Sequence, residues 1–84
     1  MDVKILGTGC PNCQQLEKTA REVMEEMGVE GTISKVTNMA DIRAYDIIAT
    51  PGLVIDGKVV SAGRVPSKAE VTSLIATALS AAQA

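Results

Sequence analysis

The spacing of apolar and polar positions changes period several times along this chain, and each change marks an element. Val3, Ile5 and Leu6 form a near-continuous apolar run, broken only by Lys4 and stopped by Gly7, which predicts a central strand over residues 1–6 covered on both faces. From Pro11 to Met27 the period lengthens. Leu16, Ala20, Val23, Met24 and Met27 recur at helical spacing, with Glu17, Lys18, Arg21, Glu22, Glu25 and Glu26 opposite them. This is an amphipathic surface helix, opened by a proline whose missing N–H is harmless in the first turn and closed by Gly28. Its charges read as a solvated face, with Glu17 and Arg21 an i,i+4 pair.

Residues 32–37 are half polar and predict an edge strand. Asn38 caps a short helix over Met39–Tyr45 that turns Ile42 and Tyr45 to one side. Thr50-Pro51-Gly52 breaks the chain ahead of Leu53-Val54-Ile55, a run with the composition of a second central strand, and Asp56-Gly57 is a hairpin turn joining it to Lys58–Ala62. Gly63 and Pro66 end that strand. Ser67-Lys68-Ala69-Glu70 is a capping box for a last helix whose apolar set is Val71, Leu74, Ile75, Ala78, Leu79 and Ala82, with an Ala-rich tail expected to fray. The element order is βαβαββα. The first β-α-β unit must be parallel and right-handed, and the hairpin adds two antiparallel strands. An α/β fold with a mixed four-stranded sheet, order 2-1-3-4, flanked by three helices follows if the two most apolar strands are central.

Composition narrows the picture. The chain has 84 residues, which make one small domain over 1–84. Tyr45 is its one aromatic residue, so the core is expected to be aliphatic. A net charge of −2 offers no polybasic face, so neither nucleic acid nor anionic lipid is an expected partner. The opening residues are too short an apolar run for a signal peptide and no stretch is long enough to span a bilayer, which predicts a cytoplasmic protein with no membrane contact.

The chemistry concentrates in Gly7-Thr8-Gly9-Cys10-Pro11-Asn12-Cys13, which holds both cysteines of a chain without histidine. The pair follows a strand and opens a helix. A helix N-terminus presents unpaired N–H groups and partial positive charge, which stabilise a thiolate. Cys10, just before the helix, is therefore the expected exposed nucleophile, with a pKa below the free value of about 8.5. Cys13, one turn inside, is the shielded resolving thiol. Two cysteines flanking Pro-Asn at a polar corner do not resemble core filling. A structural staple closing about four residues removes only about 2 kcal/mol of unfolded-state entropy, against nearly 5 for a hundred-residue loop. Binding of soft copper or zinc is the alternative function, although a lone C-x-x-C supplies two of the four ligands that structural zinc takes. The partial G-x-G-x-x-G at Gly7 does not fit in a chain this short.

Taken together, Gly9-Cys10-Pro11-Asn12-Cys13, Thr50-Pro51-Gly52-Leu53-Val54-Ile55-Asp56-Gly57-Lys58 and Gly63-Arg64-Val65-Pro66-Ser67 resemble the thioredoxin/glutaredoxin superfamily over essentially the whole chain, most closely the small glutaredoxin-like thioredoxins of archaea and anaerobic bacteria. The resemblance implies thiol–disulfide exchange by a reversible Cys10–Cys13 bond, with no other cofactor and no metal. It implies a cis Thr50–Pro51 bond beside the pair, with Pro11 and Asn12 completing the motif; because the chain has no Trp or Phe to anchor a peptide, the groove formed by the cysteine corner with Thr50, Pro51, Gly63 and Ile48 is expected to be shallow and aliphatic. It also implies a monomer that takes electrons from a thioredoxin-reductase-like protein and passes them to protein disulfides. The sequence departs from the family in three places: Asn12 replaces the glutaredoxin aromatic, Gly9 replaces the thioredoxin tryptophan, and Lys4 stands where larger thioredoxins carry a buried acid. Lys4 either runs its stem along the sheet with its ammonium in water or approaches the sulfurs and favours thiolate. The rival metal reading rests on Gly-x-x-Cys-x-x-Cys, which also opens ferredoxin-like copper domains; those end in a strand, and this chain ends in a helix.

Overall fold

The computed structural model describes residues 1–47 and 49–83, and the side chains of residues 82 and 83 are outside the description. Its elements are β1 (Asp2–Leu6), α1 (Pro11–Met27), β2 (Thr32–Val36), α2 (Met39–Arg43), β3 (Gly52–Ile55), β4 (Lys58–Ala62) and α3 (Lys68–Gln83). The four strands form one sheet in the order β2-β1-β3-β4, with β1 parallel to β2 and antiparallel to β3, and β3 antiparallel to β4. This is the expected mixed sheet, with the half-polar strand at an edge and the two apolar strands inside.

The alternation along β1 divides the core. Val3 and Ile5 face one side, where they join Leu16, Ala20, Val23 and Met24 of α1, Leu53 and Ile55 of β3, and Val71 and Ile75 of α3. Leu6 faces the other side, where among the described residues it clusters with buried Val54 and Ile42, with Val36, Tyr45, Ile47 and Val59 half-buried around them. Burying one such aliphatic side chain stabilises the fold by about 1.5–3 kcal/mol, so the α1/α3 face carries most of the hydrophobic driving force. Pro11 opens α1. At its other end Gly28, at φ 66°, and Val29 return N–H groups to Glu25 and Met24, a Schellman closure that lays Val29 on the core beside Met24.

Some boundaries and local devices differ from expectation. The short helix stops at Arg43: Tyr45 and Asp46 bond back three residues, and Asp46 takes a left-handed φ of 58° that aspartate tolerates, so Tyr45 sits in a turn, still against Ile42. Ser67 accepts the Glu70 N–H at 3.2 Å, but the return half of the capping box is missing because the Glu70 carboxylate is taken by Arg64. Helix α3 spans Lys68–Gln83, its last turns built from alanine, the best helix former. The charged side of α1 is also more than a solvated face. Glu17 bonds Arg21 at 2.9 Å as expected, yet also meets Lys35 of β2 at 3.6 Å, while Glu22 and Glu26 hold Lys68 of α3. A bulge in β4 skips Val60 in the pairing with β3 and sets Ser61 opposite Leu53.

Candidate functional site

Both cysteines stand at the carboxyl end of β1, where the strand hands over to α1. Cys10 is the N-cap of α1, with extended backbone (φ −66°, ψ 162°), and its sulfur accepts the Cys13 backbone N–H at 3.2 Å. One of the helix's unpaired donors therefore points at Cys10 Sγ, the arrangement that stabilises negative charge there. Cys10 is half-buried, whereas Cys13 is only 4% exposed and lies against the core. The two form a disulfide, with Cα atoms 5.1 Å apart. Gln14 steadies the corner by donating to the Gly9 carbonyl at 3.1 Å.

The second segment arrives from β3. The antiparallel register ends with Leu6 opposite Gly52, which brings Pro51 across from Gly7. The Thr50–Pro51 bond is cis, Pro51 is buried and Thr50 is exposed. Gly63 joins them by donating its N–H to the Pro51 carbonyl at 2.9 Å. The fold thus gathers Cys10, Pro11, Asn12 and Cys13 with Thr50, Pro51 and Gly63 at one sheet edge, Pro11 and Asn12 exposed at the tip. Ile48 lies outside the described residues. No charged residue occurs in segments 7–15 or 49–55, and the backbone N–H of Cys13 is a dipole that meets Cys10 Sγ. The nearest charge in sequence after Gly63 is Arg64, which is held by Glu70; that hydrogen bond raises the guanidinium pKa and lowers that of the carboxyl.

Lys4 does not serve the sulfurs. It alternates with Val3 and Ile5 and so emerges on the face away from α1, where its ammonium reaches the Tyr45 hydroxyl at 3.5 Å and the Asp2 carboxylate at 3.8 Å. The Tyr45 hydrogen bond, with Asp2 behind it, raises the Lys4 pKa. The Asp2 carboxylate, half exposed, also accepts from the Thr32 hydroxyl at 3.4 Å.

Gly7, read from sequence only as a strand stop, has a second property. It is buried, and the space its Cβ would occupy is filled by Cys13 Sγ. The sequence signals a glycine-rich corner but does not separate a glycine needed for space from one such as Gly9, which needs its φ of 91°.

Comparison with known proteins decides the family. The Thioredoxin domain family matches residues 1–76. The chain belongs to the thioredoxin-domain family. It is 43% identical over 75 residues to a thioredoxin of Methanothermobacter thermautotrophicus, covering 89% of this chain and 97% of the relative. It is 36% identical over 69 residues to a thioredoxin of Methanocaldococcus jannaschii, covering 82% of this chain and 79% of the relative. A C-x-x-C pair closed as a disulfide at the N-terminus of α1 of a thioredoxin domain makes this a thiol–disulfide oxidoreductase. Among the described residues no group of three or more His, Cys, Asp or Glu side chains could hold a metal, and no helix is long and apolar enough to cross a membrane.

Proposed function

We propose that the chain is a single-domain electron carrier, residues 1–84, in which Cys10 is the nucleophile and Cys13 the resolving thiol. In the reduced state the Cys10 thiolate attacks one sulfur of a substrate disulfide. A mixed disulfide forms and the other substrate sulfur leaves as thiolate. Cys13 then loses its proton to solvent and attacks Cys10 Sγ, releasing the second substrate thiolate and closing the Cys10–Cys13 bond. Two electrons pass to the substrate, and a dithiol reductant restores the pair. The observation that carries this assignment is the asymmetry of the two sulfurs: Cys10 is half-buried and receives the Cys13 N–H, whereas Cys13 is 4% exposed.

In this reading Thr50, Pro51 and Gly63 form the substrate-facing wall. The chain supplies no Trp or Phe to anchor a peptide, so docking is weak and partner-specific. The upstream partner is a thioredoxin-reductase-like protein, the downstream partners are protein disulfides, and the compartment is a reducing cytoplasm in which the protein acts as a monomer. The test is dithiothreitol-driven reduction of insulin disulfides. Wild type is expected to turn over; Cys10→Ser is expected to be inactive, and Cys13→Ser to accumulate a mixed disulfide through Cys10. Full activity in Cys10→Ser would overturn the assignment.

A further inference from the structure

We infer that the missing side chain of Gly7 is the seat of the Cys13 sulfur, which makes Gly7 a positioning residue that sets how readily the Cys10–Cys13 bond is reduced. Glycine is needed here for room. Gly7 is absent from the positive-φ glycines, and its N–H continues the β1–β2 ladder to the Val36 carbonyl at 3.0 Å, so any L-residue could take its backbone. A methyl at this position would nevertheless run into Cys13 Sγ, press on Cys13 Cβ at 3.2 Å and touch Thr50 Cβ at 3.9 Å. Gly9 is the reverse case: its φ is 91° and a Cβ would meet nothing within 4 Å.

Neither side of the Gly7–Cys13 contact is free to move away. On one side β1 is held by ladders to both neighbouring strands. On the other, Cys13 belongs to α1, whose Leu16 and Ala20 are fully buried in the core. In the oxidised protein the sulfur is also tethered to Cys10. Reduction releases that tether: two electrons and two protons from a dithiol or two glutathione molecules convert the bond to two thiols, and the reductant becomes the disulfide. The Cys13 thiol can then turn about χ1 to another staggered position. A side chain at residue 7 therefore disfavours the disulfide more than the dithiol. Glycine favours the oxidised form.

This inference rests on the exchange reading of the pair, and its test separates the two. Wild type and Gly7→Ala are equilibrated in glutathione buffers, and the dithiol fraction is read by alkylation and mass spectrometry. The expected result is a shift of at least tenfold toward the dithiol in Gly7→Ala, equivalent to about 30 mV for a two-electron couple. A shift below twofold overturns the proposal. A stability cycle supplies the second arm. Gly7→Ala is expected to lower the folding equilibrium constant of the oxidised wild type at least tenfold more than it lowers that of Cys13→Ala. Equal losses in the two backgrounds mean that Gly7 serves the backbone and not the sulfur, which also overturns it. If Gly7→Ala alone does not fold, folding of Gly7→Ala/Cys13→Ala supports the seat and failure of both contradicts it. Neither arm measures turnover, so a wild type inactive on protein disulfides would remove the exchange reading while leaving the seat standing.

Discussion

The two faces of the sheet are built unequally. On the α1/α3 face, buried residues from β1, β3 and both long helices close into one cluster, and Lys68 reaches from α3 to Glu22 and Glu26 of α1 outside it. On the other face a five-residue helix covers part of the sheet, Ile42 is the one residue of α2 that is buried, and a lysine from a central strand keeps its ammonium against Tyr45 and Asp2. The difference explains where the chemistry stands. Cys13 belongs to the helix with the deepest anchorage, so its sulfur is held in place, and Cys10 is the cap of that same helix. The thinner face can accept a charge in the middle of a central strand because it leaves that charge partly in water, as the 34% exposure of the Lys4 side chain records.

Substitutions that empty each face test the contrast. Leu16→Ala on the thick face removes a fully buried side chain ringed by other buried ones and is expected to destabilise by about 3–5 kcal/mol in denaturant unfolding. Ile42→Ala on the thin face is expected to lose only about 2 kcal/mol, because its half-buried neighbours can close over the gap. Equal losses would mean that the two faces are equally well packed. Smaller and opposite in sign is Ser61→Ala. The Ser61 hydroxyl is buried without a hydrogen-bond partner among the described residues, so removing it is expected to stabilise by about 1 kcal/mol; a loss of stability would mean that the hydroxyl is satisfied in solution.

The smallest effect concerns pH. The Arg21 hydrogen bond, assisted by Lys35, holds the Glu17 pKa below its ordinary value. A depressed carboxylate contributes stability that is fully present above the unfolded value of about 4.3 and is lost as pH falls through the lower folded value. The stability difference between wild type and Glu17→Gln is therefore expected to be flat from neutrality to about pH 5 and to shrink below it. A difference unchanged down to pH 2 would show that Arg21 and Lys35 do not act on Glu17 in solution.

Much of this was readable from the residues. Strand order followed from the contrast between apolar Val3–Leu6 and Leu53–Ile55 and half-polar Thr32–Val36, and the ends of α1 followed from Pro11 and Gly28. These are local signals with one physical meaning each. Tertiary partners were less legible. Glu70 has the spacing of a capping box, yet Arg64 competes for its carboxylate, and nothing in the local sequence ranks the two. The direction of Lys4 required knowing that the second face is thin enough to bring Tyr45 within reach. Gly7 looks like any strand-ending glycine, because what makes it matter is a sulfur six residues away brought back by the turn into α1.

The proposed roles of Cys10 and Cys13 differ, and brief alkylation tests that difference most directly. The protein is reduced and cleared of reductant, then treated for seconds with limiting iodoacetamide at neutral pH and mapped by peptide mass spectrometry. Label is expected mainly on Cys10, the half-buried sulfur that accepts the helix N–H, with Cys13 protected. Label mainly on Cys13, or equal label on both, would contradict the assignment.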